Sequence, residues 1–271
     1  RGVYAYELNL PVTVKQRLWQ QMDERLELPD VSYDFINRGC AFSVSLWLRE
    51  VVDRDSLVFG SWPEKFNRSR KEMCFDVVKS SWNSFILSSI SAGEAEYTDL
   101  PYEDKITVPT ELVEVLQNAT AYGKPLLSKE PIVLLKQTSV IESPFISPLM
   151  ITLLLLSVAI ANLFFHYRYL RWMFWTLQFM IALFITYLVV ISDLPCTQWN
   201  WLIIPFNPIP VLLWFWRKYW VYPFVTICIV WMIGLLLYPH QVIVPAHYVL
   251  VLTTMVSALE LKEFSLTRWR K

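Results

Sequence analysis

Hydrophobic residues follow different patterns in the two halves of this chain. Before residue 147 they recur at short intervals between charged residues, and after it they form long runs with few charges. Intervals of two predict strands, intervals of three to four predict helices, and long runs predict membrane-spanning helices. The pattern therefore predicts a water-exposed first domain, residues 1–146, and a membrane domain, residues 147–271.

The first domain carries the signals of several short elements. Val3–Leu10 alternates apolar and polar residues, as a half-buried strand does. Thr13 and Gln16 form a capping-box pair, which predicts a helix that ends before Pro29 and has one apolar stripe. The stripe consists of Leu18, Met22 and Leu26. The other predicted elements are a helix that begins at or just after Cys40, helices over Trp82–Ile90 and Thr110–Leu116, a turn at Gly123–Pro125 and a strand over Ile132–Lys136. This mixture predicts an α+β domain.

Five apolar runs in the second domain predict about five membrane-spanning helices. The first two are free of charged residues and long enough to cross a hydrocarbon core of about 30 Å. The third contains three prolines, each of which removes a backbone donor, so we expect it to be broken or shallow. The runs are Ser147–Tyr167, Trp172–Ser192, Trp199–Trp216, Val221–Tyr238 and His247–Leu261.

The cations between these runs predict the orientation of the chain. Lys and Arg lie in alternate connections, at 168 and 171, at 217 and 218, and from 262 onward, whereas 193–198 and 239–246 contain none. Cations near helix ends are retained on the cytoplasmic side. With five crossings, the carboxy terminus is predicted to be cytoplasmic and the amino-terminal domain to lie outside.

Charge separates the halves as clearly as hydropathy does. Residues 1–146 contain 16 Lys/Arg and 21 Asp/Glu, whereas residues 147–271 contain 8 and 3. The first half has no basic stripe, and the cations of the second fall between apolar runs, so the sequence gives no sign of a nucleic-acid partner. The lipid bilayer is the partner that it predicts, and no cofactor motif is recognisable among only 6 glycines.

The order of several short motifs resembles a known family. VYAYELNL, YDFINRGC, SWNSFILSS, VPTELVEVLQNA and YGKPLL occur between residues 3 and 135. Together they resemble the Lnb N-terminal periplasmic domain family, also called DUF4105, of the bacterial envelope. Some Bacteroidetes-type members also have a hydrophobic tail with a segment similar to SDLPCTQWNWLIIPFNPI, residues 192–209. The resemblance implies a bacterial inner-membrane protein with a periplasmic domain.

The same resemblance implies a role for Cys40. In the family an upstream Phe-Gly-His motif and an Asn-Cys pair suggest a circularly permuted papain-like site, in which Cys is the nucleophile and His the base. Here Gly39 stands in place of the Asn, Phe42 in place of a Thr, and the first histidine is His166. We therefore expect the base, if there is one, to lie in a segment upstream of Arg1.

Cys40 has three interpretations. It is a nucleophile, a disulfide partner of Cys74 in an oxidising compartment, or a buried structural thiol. A second set of polar residues borders the two non-cytoplasmic connections and includes types that bind metal or move protons. It comprises Asp193, Cys196, His240 and His247, but its spacing matches no known ligand motif, so no metal site is predicted.

Two functions remain open at this stage. The leading hypothesis is a binding or structural role for a periplasmic domain that has a degenerate catalytic site, with an envelope or periplasmic component as its partner. The alternative is a thiol hydrolase or acyltransferase that acts on an envelope amide or ester through Cys40. A small transporter is disfavoured because the first two runs contain no charged residue and no inverted repeat is evident.

Overall fold

The fold was analysed in a computed structural model of the full chain. It describes residues 2–27, 39–78, 80–91, 100–128, 130–136, 146–194, 197–198, 200–208, 217–237 and 243–267, with the backbone only at 217–220 and 260–267. The described residues are mostly helical, with a small share of strand. The helices are α1 (Val12–Leu26), α2 (Cys40–Val51), α3 (Arg70–Val77), α4 (Ser81–Ile90), α5 (Pro109–Gln117), α6 (Pro148–Phe165), α7 (Arg168–Val190), α8 (Arg217–Leu237) and α9 (Pro245–Thr267).

The strands in the described residues form two small antiparallel sheets. Strand β1 pairs with β5, and β2 pairs with β3, which pairs with β4. The turn between β3 and β4 places Tyr122 and Gly123 at positive φ, which suits a tight hairpin. The predicted turn thus exists but lies one residue earlier. The strands are β1 (Val3–Ala5), β2 (Leu57–Val58), β3 (Thr120–Ala121), β4 (Lys124–Pro125) and β5 (Ile132–Leu135).

The chain divides into two compact units. The amino-terminal unit contains Arg1–Val77 and Glu96–Glu142, and the carboxy-terminal unit contains Val78–Ala95 and Ser143–Lys271. The change of hydrophobic pattern at residue 147 placed α4 in the first domain. In the structure α4 belongs to the second unit, where Trp82 Nε1 donates to the carbonyl of Ile146 at 2.8 Å.

The core of the amino-terminal unit is built from helices α2 and α5 and from the short strands. Leu48 and Val51 of α2, Leu112 and Val115 of α5, and Phe66 are all buried there. Burial of such side chains is worth about 1.5–3 kcal/mol each, so this cluster supplies the main driving force for folding. The predicted helix after Cys40 is confirmed, because its buried face includes Leu48 and Val51.

Helix α1 begins close to the predicted residue, but the predicted capping interaction is not formed. It starts at Val12 with Pro11 as its N-cap, and no side chain caps it, so the Thr13 capping box is wrong. A proline before the first turn sets φ near the helical value and lacks only a donor that the first turn does not need. The side chain that α1 buries is Val14, and Leu18 packs against the core at its edge.

Two helices in the described part of the chain are long and apolar enough to cross a membrane. They are α6 and α7, which correspond to the first two predicted spans. His166 joins them in a left-handed conformation, and Asn162 Oδ1 accepts from the Tyr167 backbone N–H at 2.8 Å. The Asn162 side chain therefore satisfies a backbone donor just beyond the end of α6.

The fourth and fifth predicted spans correspond to shorter apolar helices, and the third does not form one continuous helix over its described residues. Apolar stretches of α8 and α9, Val221–Leu237 and Pro245–Leu259, are shorter than the first two. In the third run, residues 200–208 form a short 3₁₀ helix, Trp201–Ile203, and a turn, and the rest of the run lies outside the described residues. Pro205 and Pro208 lack the N–H groups that would continue a helix, which explains the break.

Candidate functional site

Cys40 lies at the first position of α2, as predicted. Gly39 precedes it in an extended conformation and is the N-cap, and its carbonyl accepts from the Ser43 N–H at 3.0 Å. The neighbouring Ala41 faces the core, whereas Cys40 is exposed. Its position gives the thiol access to solvent and to the positive end of a helix dipole.

The two structural interpretations of Cys40 do not fit its surroundings. Among the described cysteines, neither Cys40 nor Cys74 is disulfide-bonded. Cys74 is buried within α3, whereas Cys40 is at the surface, so the pair is not arranged as a bridge. Cys40 is also not a buried core thiol. An exposed thiol at a helix start is the remaining description.

No histidine in the sequence belongs to the unit that contains Cys40. His166, His240 and His247 are the three histidines of the chain, and all fall within the residue range of the carboxy-terminal unit. A papain-like thiol needs an imidazole within hydrogen-bond reach to act as its base. Residues 1–77 and 96–142, which form the amino-terminal unit, contain no histidine and cannot supply that group.

The second predicted set of polar residues does not form a metal site in the described structure. Asp193 is exposed and His247 is buried. Cys196 and His240 lie outside the described residues. Within the ranges that the structure describes, no group of three or more His, Cys, Asp or Glu side chains could hold a metal ion.

His247 belongs instead to a polar cluster at the start of α9. Its Nε2 lies 2.9 Å from Ser89 Oγ, and its ring stacks on Phe85 with centroids 4.4 Å apart and an angle of 12°. Both partners come from α4, more than 150 residues earlier in the chain. The imidazole is almost completely shielded from solvent.

Asn200 completes this cluster, which we call the α4 clasp and define as Phe85, Ser88, Ser89, Asn200 and His247. Asn200 Nδ2 donates to the Ser89 carbonyl at 2.7 Å, and its Oδ1 accepts from the Leu202 N–H at 2.9 Å. The Val244 N–H donates to Ser88 Oγ at 3.4 Å. Residues from three distant segments therefore share one hydrogen-bonded network.

The hydrogen bonds of the clasp are not those expected of a nucleophilic Ser89. Ser89 Oγ lies 2.7 Å from the Phe85 carbonyl, which can only accept, so the single hydroxyl proton is donated there. The Ser89 oxygen must then accept from His247 Nε2–H, which is opposite to the direction that a general base requires. This assignment makes the His–Ser pair a packing contact rather than a catalytic dyad.

A third feature, an exposed apolar face, lies on α1. Val12, Trp19, Met22 and Leu26 are 70%, 67%, 42% and 83% exposed. Their spacings of seven, three and four residues place them on one side of the helix. We call them the α1 apolar face. The predicted apolar stripe of Leu18, Met22 and Leu26 thus includes two residues of this exposed face, whereas Leu18 packs against the core.

Comparison of the chain with protein-family models, curated proteins and solved structures found no match. The resemblance to the Lnb N-terminal periplasmic domain family therefore rests on the motifs alone. The geometry offers an exposed thiol that has no histidine in its own unit, a buried polar clasp and an exposed apolar helix face. Two of these features, the thiol and the apolar face, are exposed and accessible to another molecule.

Sequence reasoning missed most of these residues for identifiable reasons. The clasp joins α4 to residues 200 and 247, and no local pattern reports a contact over such a separation. The run of serines in SWNSFILSSIS was the only available signal, since serines are frequent where helices pack closely in membranes. The periodicity of α1 showed that it is amphipathic, but it did not show which side meets the core.

Proposed function

We propose that this chain is a membrane-anchored binding protein of the bacterial envelope. In this proposal an α+β domain related to the Lnb N-terminal periplasmic family faces the periplasm, and a bundle of about five spans holds it in the inner membrane. The two apolar helices α6 and α7 support the anchor. The alternation of Lys and Arg between the apolar runs supports the orientation.

The observation that carries a binding role is the α1 apolar face. Exposed apolar side chains on one face of a helix are the anchors that an amphipathic helix inserts into a groove of its partner. Trp19 is 67% exposed, and tryptophan is one of the residue types enriched at binding hot spots. Leaving such a face in water has no benefit for folding, so its use in recognition explains its presence.

The partner proposed for this face is a protein rather than the lipid surface. Residues 1–146 carry a net charge of −5, which opposes adsorption to anionic lipid headgroups. Asp23 and Glu24 are exposed on α1 itself, beside the apolar face. Interfacial helices that lie on membranes use Lys and Arg on their polar side to bind anionic headgroups. The three cations of α1 instead pair with carboxylates of the same unit: Lys15 with Glu7 at 3.9 Å, Arg17 with Asp53 at 3.7 Å and Arg25 with Glu50 at 2.8 Å.

A photo-crosslinking experiment tests this proposal. We expect benzoylphenylalanine at position 19 of the full chain, irradiated in intact cells, to give a discrete protein adduct. Gln20 is the matched control, because it is exposed on the same helix but outside the apolar face. Equal adducts at both positions, or adducts to phospholipid alone, would count against a protein-binding α1.

The alternative, a thiol hydrolase or acyltransferase, is favoured by one observation. Cys40 is exposed at a helix start, where a nucleophile must be to reach its substrate. The reaction would also need a base from outside the amino-terminal unit. An acylating thiol probe that labels the wild-type protein but not Cys40→Ser, at a rate well above that of a free thiol, would favour this reading.

A further inference from the structure

A small cavity lies between α7 and α9 inside the carboxy-terminal unit. Apolar side chains, including Phe174 and Leu250, form most of its wall, and four polar side chains also line it. Its volume is about 10 Å³, the space that one water molecule requires. The polar residues are Gln178 of α7 and Thr253, Thr254 and Ser257 of α9.

Gln178 contributes hydrogen-bond donors to this cavity. The residue is 2% exposed, and its Nε2 has no hydrogen-bond partner among the described residues. An amide nitrogen that is buried without an acceptor loses its hydrogen bonds to water without replacement, so native structures seldom leave one unpaired. The Gln178 amide therefore needs a small group in the cavity that accepts a hydrogen bond.

The α9 side chains contribute only acceptors. Thr253 Oγ1 donates to the Val249 carbonyl at 2.8 Å, Thr254 Oγ1 to Val251 at 2.8 Å, and Ser257 Oγ to Thr253 at 2.9 Å. Each hydroxyl has one proton, which is thus committed to the helix backbone. The remaining lone pairs can only accept, so the occupant must also donate.

Bulk solvent does not supply these hydrogen bonds, because Gln178 is almost completely buried. Gln178 lies at the centre of α7, which spans residues 168–190 and is long and apolar enough to cross a membrane. Lipid tails offer no hydrogen bonds at that depth. A bound molecule within the bundle is then the available partner for the Gln178 amide.

We propose that this cavity is a binding site for one water molecule that bridges α7 and α9. The water accepts from Gln178 Nε2–H and donates to hydroxyl oxygens of Thr253, Thr254 or Ser257. Water fits because it is both donor and acceptor and has the right size. An apolar ligand would leave the amide unpaired, and a cation would be repelled by its N–H groups. This inference is independent of the proposed binding role of α1.

The test compares Gln178→Leu and Ser257→Ala in the detergent-solubilised full chain. We expect each change to lower the Tm, by roughly 2–4 °C, and the double variant to lose less than the sum, because each breaks the same bridge. Thr176→Val is the matched control, since Thr176 is exposed on α7. A Gln178→Leu variant with a raised Tm, together with additive effects, would mean that the amide is merely buried unpaired and would overturn the proposal.

A second measurement does not depend on how the variants fold. In wild-type protein with ¹⁵N-labelled glutamine, we expect the Gln178 side-chain amide protons to show a nuclear Overhauser effect to a long-lived water. The signal should weaken in Ser257→Ala. If the amide resonance is shielded from exchange but shows no contact with water, the cavity is dry and the proposed site does not exist.

Discussion

Replacing Asn200 with leucine should destabilise the carboxy-terminal unit by about 2–4 kcal/mol, because it leaves two backbone groups unpaired. Asn200 is fully buried and holds the Ser89 carbonyl through Nδ2 and the Leu202 N–H through Oδ1. A leucine of similar volume can do neither. The loss should release α4 from the clasp and loosen the short helix at Trp201–Ile203.

The native Cys228 can be used to measure this opening, because its thiol reacts only when the carboxy-terminal unit opens. It is fully buried and belongs to the same core cluster as Leu202 and Phe206. In a background with the other cysteines replaced by serine, maleimide should label Cys228 at least about 30-fold faster in Asn200→Leu than in wild type, which corresponds to 2 kcal/mol or more. Asn83→Leu is the control, since Asn83 is exposed on α4. Equal rates in the two variants would show that the clasp does not hold this unit together.

Replacing Gly60 with alanine should destabilise the amino-terminal unit by about 1–3 kcal/mol through steric overlap. A Cβ at this position would lie 2.5 Å from the backbone oxygen of Asn118, closer than real Cβ contacts come. Asn118 is the C-cap of α5, so the oxygen belongs to backbone rather than to a flexible side chain. Relief requires the segment after β2 to move away from the end of α5.

Cys74 reports opening of this unit, since it is buried within α3. With the other cysteines replaced by serine, the urea concentration at which maleimide reaches Cys74 should fall in Gly60→Ala. Ser61→Ala, an exposed change at the next residue, should leave that concentration unaltered. If Gly60→Ala labels like wild type, the close approach of the two segments is not required for the fold.

The local pattern of apolar residues predicted the helices and strands of this protein better than the contacts between them. The helices predicted after Cys40, over Trp82–Ile90 and over Thr110–Leu116 are confirmed by α2, α4 and α5. These predictions succeeded because each helix has a clear apolar periodicity within its own sequence. The first two spans correspond to α6 and α7 for the same reason. The strands over Val3–Leu10 and Ile132–Lys136 exist but are shorter, with β1 paired to β5.

What the sequence could not predict depends on contacts between distant residues. The sequence predicted an apolar stripe on α1 but not the surface that the stripe meets. In the structure Val14 is buried, whereas Met22 and Leu26 face solvent. Periodicity defines an apolar side of a helix, not the surface that it meets. His247 was grouped with Asp193 by position along the chain, whereas its contacts are with Ser89 and Phe85 of α4.

The proposed orientation places the amino-terminal unit outside the inner membrane. Cys40 gives a direct test, because it is exposed in that unit while Cys74 and Cys228 are buried. The test uses a chain in which Cys196 is replaced by serine, because the predicted topology also places that cysteine outside. In intact spheroplasts, a membrane-impermeant maleimide should label this chain at Cys40, and no label should remain when Cys40→Ser is added. If Cys40 is labelled only after the spheroplasts are lysed, the unit is cytoplasmic and the proposed orientation is contradicted.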